Sequence, residues 1–142
     1  MREDRVPESR LSYLIGVIVN SFALYVIQKV PEWNIVFITG EYEQVRNILA
    51  TAVIVQIVGG VILIVLRTRV MHCLLHVIFN FVSLYAVYRV LSVFPFDFEG
   101  IGIPVLATVL KILLIISLAA ALIGLISNMF KLRFALRENR RR

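Results

Sequence analysis

The sequence has one cysteine, Cys73, so it can form no intrachain disulfide and offers no thiol pair for redox relay. Set among apolar neighbours, it reads as a small interior filler. Charge is scarce as well: 17% of the residues are charged against 60% hydrophobic, and mean hydropathy is +0.89, which is not the composition of a soluble domain. Phosphate-cradling loops and nucleophile or general-base constellations are missing, which argues against hydrolase or nucleotide chemistry and leans against an enzyme. Long polar stretches are missing too. The reading is therefore a single membrane domain over residues 1–142, with no room for a separate soluble one. The formal charge of +6 does not point to nucleic acid, because the basic residues cluster at the ends of apolar runs, where translocation and anionic headgroups account for them.

What is present is apolar length. Spans are predicted at about residues 11–30, 47–66, 70–93 and 104–130, each about 20 residues or more and so able to cross a hydrocarbon core of about 30 Å. The expected fold is an all-α integral membrane four-helix bundle made of two tandem helical hairpins. Residues 1–10 are a charged tail expected to be exposed and partly disordered. No A-x-A cleavage site follows it, so the first span is read as retained. Pro31 stops that span. The connection at residues 31–46 carries Trp33, Phe37 and Tyr42, residue types that settle at headgroup depth, and is expected to lie on the membrane surface with a turn at Gly40. Arg67, Thr68 and Arg69 form so short a link that spans 2 and 3 must be antiparallel neighbours. Eleven of the fifteen Lys and Arg fall on one side, in the tails and this turn. Both termini are accordingly expected in the cytoplasm, with the chain in the cell membrane and the basic C-terminal tail against anionic lipids.

The third span is unusually polar. His72, His76, Asn80 and Ser83 stand at i, i+4, i+8 and i+11, one arc of about 80° on a helix. His72 and His76 could ligate a metal or haem from one face, but neither flanking span holds a third His or a carboxylate, so only a dimer could complete the set. The plainer reading is two interfacial polar residues packed on a neighbour, with no cofactor. Gln56 interrupts span 2. Lys111 lies about 10 Å below Pro104, deep enough for a role in transport and close enough to snorkel to the outer surface or pair with Asp97, Glu99, Glu41 or Glu43. Small residues, Gly16, Gly59, Gly60, Ala120 and Gly124, suit close helix approach.

Shifted by 60, the chain matches itself. Residues 11–30 and 71–90 agree at seven of 20 positions, including Asn20/Asn80 and Tyr25/Tyr85, with Lys29 over Arg89. Repeats of about 11–70 and 71–130, related by an axis along the membrane normal, follow from spans 1 and 3 running the same way. The duplication predicts that the polar stripes of spans 1 and 3 face inward, with Asn20 hydrogen-bonded to Asn80 at mid-membrane. The connecting segments at residues 31–39 and 94–98 resemble those of a group of small prokaryotic four-helix membrane proteins with no assigned function. That resemblance implies a stand-alone four-helix domain and carries over no catalytic or binding residue.

Three functional classes follow. The first is a non-enzymatic assembly or accessory subunit, as a homo-oligomer or in a larger membrane complex, associating through the Gly59/Gly60 and Ala120/Gly124 surfaces. The second is a small-solute or ion transporter or channel acting as an oligomer, its path lined by Asn20, Asn80, Gln56, Ser83 and Lys111. The third, ranked last, is a haem or metal redox protein at His72 and His76.

Overall fold

The computed structural model describes residues 9–140, so residues 1–8 of the charged tail and the last two arginines lie outside the described residues. Four helices follow the four apolar runs: α1 (Arg10–Lys29), α2 (Tyr42–Val65), α3 (Arg69–Val93) and α4 (Pro104–Arg140), with a short 3-10 turn (Val30–Trp33) after α1. All four are long and apolar enough to cross a membrane. The protein is an all-α bundle of membrane-length helices, consistent with a small multi-pass membrane protein.

Local chemistry sets the helix ends. Ser9 caps α1 by accepting from the Ser12 amide at 3.3 Å, and Thr68 caps α3 by accepting from the Met71 amide at 3.3 Å. Pro104 opens α4, where its missing N–H costs nothing. Two boundaries differ from the sequence expectation. The second helix begins at Tyr42 rather than Asn47, because the Tyr42 hydroxyl donates to the Ile27 carbonyl at 3.0 Å and anchors the first turn of α2 to the end of α1. The fourth runs on past Phe130 to Arg140, a total of 37 residues, about 55 Å at 1.5 Å per residue. Its last turns are rich in Leu, Arg and Ala, good helix formers. An ion pair at 3.1 Å between Arg69 and Glu138 ties them to the start of α3.

Packing follows chain order: α1 on α2, α2 on α3, α3 on α4, and no packing of comparable extent joins α1 to α4. The centre is α2. A Cβ on Gly59 would collide with the Phe79 ring of α3, and one on Gly60 would lie 2.8 Å from Val17 Cγ2 of α1. Each glycine thus admits one neighbour. The Gly59/Gly60 surface expected to serve association between chains is spent inside this one. Near the termini, Tyr13, Leu63 and Leu75 form a buried cluster with Met71 and Phe79 against it. At the opposite end Tyr42, Val45 and Val90 form another, which Val30, Phe96 and Leu114 also join.

The two connections at that end meet. Ile38 and Phe96 form an isolated antiparallel β-bridge, with the Thr39 amide donating to the Pro95 carbonyl at 3.1 Å and the Asp97 amide to the Phe37 carbonyl at 2.8 Å. Rings stack over it, Phe37 on Phe98 at 5.3 Å and Phe96 on Phe98 at 6.0 Å between centroids. Asp97 folds its own loop by accepting from the Glu99 and Gly100 amides. Trp33 stays half-exposed beside this knot and Val36 fully so, as expected of residues meeting headgroups.

Replacing Gly59 by Leu should lower stability by about 1 to 3 kcal/mol, the range for overpacking a filled site, and Gly16→Ala, whose Cβ would meet nothing within 4 Å, should leave it unchanged. Thermal unfolding of both variants in one detergent measures this, and equal losses would refute the central place given to α2.

Candidate functional site

Each of the first three helices sends at least one polar residue to one feature. Between α1 and α3, floored by α2, lies a cleft of about 180 Å³. Ser12, Gly16 and Asn20 enter it from α1, Gln56 and Gly60 from α2, and His76 and Phe79 from α3. The spacing of Ser12, Gly16 and Asn20 is the cause: at i, i+4 and i+8 they share one helix face, and Gly60 draws that face toward α2 through Val17. Gly16 packs no neighbouring helix and instead leaves the cleft open. At the termini end an aromatic ladder crosses from α1 to α3. Tyr13 meets His72 edge-on at 6.3 Å, His72 lies 4.2 Å from His76, and His76 meets Phe79 at 5.7 Å.

Among the described residues, no Lys, Arg, Asp or Glu lines the cleft. Its polar groups are the Asn20 and Gln56 amides, the Ser12 and Tyr13 hydroxyls and the His76 imidazole, set against an apolar wall. Gln56 Nε2 donates to Ser83 Oγ at 3.1 Å, joining α2 to α3 near mid-helix. Asn20 makes no hydrogen bond to another described residue, and its half-exposed amide opens into the cleft.

The expected pairing of Asn20 with Asn80 is not what the geometry gives. Asn80 Nδ2 donates to the His76 carbonyl of its own helix at 2.8 Å, and its Oδ1 lies 3.0 Å from where a Cβ on Gly124 would stand. The reason is helix order. With α3 between α2 and α4, its polar arc faces the seam between them, so Ser83 turns to α2 while Asn80 turns to α4. The inward stripe expected on the third span is divided between two neighbours.

Lys111 stands apart from the cleft. Its Nζ lies 4.6 Å from the centre of the Phe94 ring at the end of α3, a cation–π contact near the membrane edge, in place of the carboxylate partner considered for it. Of the small residues on α4, Gly124 receives Asn80, whereas Ala120 is exposed. His72 and His76 sit side by side as their spacing requires, and among the described residues no three His, Cys, Asp or Glu side chains come together. Two contributors escaped sequence reasoning. Tyr13 is buried against Leu63 and Leu75 and lines the cleft, and nothing in its apolar surroundings marks it. Glu138 had a signal, being the one acid in a run of basic residues.

Compared with known proteins, the chain matches no family model, and no curated protein and no solved structure is significantly similar to it.

Removing the Gln56–Ser83 bond tests how far the polar groups hold the helices together. A double-mutant cycle of Gln56→Leu and Ser83→Ala, read by unfolding in mixed micelles, should give a coupling of about 0.6 kcal/mol and no more than about 1.7. A coupling of zero would mean that the two side chains do not meet in the membrane.

Proposed function

We propose that the protein is a non-enzymatic membrane subunit that works within an assembly, as several copies of itself or in a larger complex. The observation behind this reading is the state of α4. The longest helix packs mainly on α3, and none of the residues in its most apolar stretch is buried. Ser117 and Ala120 are exposed along it, small residues that let another helix backbone come close. Lysine and arginine counts favour both termini in the cytoplasm and the cell membrane as the location, and the same asymmetry favours contact of the basic C-terminal end with anionic lipid. The facing of Phe37 and Asp97, equivalent at a shift of 60 and joined by a backbone hydrogen bond, supports descent of the two hairpins from one.

A second reading, passage of a small uncharged solute, is favoured by a cleft whose described lining holds no carboxylate, ammonium or guanidinium and by the amide of Asn20 within it. In that reading Asn20, Gln56 and Ser83 line the way, and Asn80 and Lys111 belong to its far side only if a second copy completes it.

The mass of the particle released gently from its native membrane tests the first reading. A mass of several chains, or of this chain with others, is expected. A monomer that retains its fold and travels with nothing would contradict it and leave the cleft as the better guide.

A further inference from the structure

Along the C-terminal half of α4, closed on one side by Val77 of α3, runs a second groove of about 400 Å³. Its upper rim is basic. Arg133, Arg137 and Arg140 all line it and are exposed. They stand at i, i+4 and i+7, so their guanidinium groups share one helix face. The neighbouring acid, Glu138, is held by Arg69 at 3.1 Å and does not line the groove. The floor is apolar, made by Met129 and Leu132 of α4 with Val77 of α3. Val77 lies about 12 Å along α3 from Arg69, and Met129 about 16 Å along α4 from Arg140, at 1.5 Å per residue. The groove therefore runs from a cationic surface end into the apolar zone of the bilayer.

From this geometry we propose that the groove is a binding site for one anionic phospholipid. Its phosphate sits among Arg133, Arg137 and Arg140, and one acyl chain lies over Val77, Met129 and Leu132. Guanidinium forks match phosphate oxygens in pairs, which selects an anionic headgroup over a zwitterionic one whose own cation would meet the arginines. The apolar floor selects a lipid over a free phosphate, because inorganic phosphate would leave it uncovered. This rests on the broader reading that the basic end contacts anionic lipid, and it adds the site, the stoichiometry and the part played by the tail.

The test is native mass spectrometry of the full chain in micelles, titrated with dioleoylphosphatidylglycerol or dioleoylphosphatidylcholine. One phosphatidylglycerol per chain should be retained, at a concentration at least tenfold below that needed for phosphatidylcholine. The double variant Arg133→Gln, Arg137→Gln should lose that preference. Val77→Trp, which fills the floor and leaves every arginine in place, should weaken retention about tenfold, with helix content and melting measured on each variant. Glycerol 3-phosphate, which has the headgroup charge without a tail, should not compete at a hundredfold excess. If it competes as well as the lipid, the site is one for free phosphate and the proposal falls. A preference for phosphatidylglycerol that survives both variants overturns the groove and leaves the broader contact standing. No preference at all overturns both.

Discussion

The close approach of three helices at Gly59 and Gly60 is the constraint on which the rest of the structure depends. Successive residues of a helix point about 100° apart, so two adjacent glycines open two different faces at one depth. Phe79 of α3 takes one and Val17 of α1 takes the other. In a bilayer no hydrophobic force drives helices together, since lipid tails are as apolar as leucine, and close backbone contact supplies the attraction instead. The end away from the termini is held differently. There Val45, Val90 and the Phe37–Phe98–Phe96 stack close the bundle over a two-stranded bridge, which satisfies backbone groups that would otherwise face the headgroup region unpaired.

From the glycine pair follows the distribution of polarity. Pulling α1 and α3 onto α2 at one depth leaves a cleft between them that takes Asn20 and Gln56, while Asn80 and Lys111 lie outside it. Each finds a modest local solution: Gln56 with Ser83, Asn80 with its own helix, Lys111 with an aromatic face. Asn20 alone among these opens into the cleft without such a bond to a described residue, which is why two functional readings meet at that position.

Much of the fold was legible in the residues, because apolar runs of the length of a bilayer allow few alternatives. The short turn at Arg67 to Arg69 gave the antiparallel pairing of α2 with α3, and the i, i+4, i+8 pattern of Ser12, Gly16 and Asn20 gave the polar face of α1. Which helix each face meets was not legible. Periodicity states that His76, Asn80 and Ser83 share an arc, and only the order of the helices decides that the arc looks at two neighbours. The glycine pair is recognisable as a close-approach motif, yet the same motif serves contacts within a chain and between chains, and periodicity alone does not separate the two. The helical C-terminal extension was hidden by its charge, since basic residues read as a tail until Glu138 is seen to face Arg69.

The central claim is that α2 is clasped between α1 and α3 at its glycine pair, with α4 beyond α3. Cysteine cross-linking in native membranes tests it most directly, with Cys73→Ser as the background. Val17→Cys with Gly60→Cys should form a disulfide readily under mild oxidation, and Val17→Cys with Gly124→Cys should not. Cross-linking of the second pair within one chain, with none in the first, would place α1 against α4 and contradict the account.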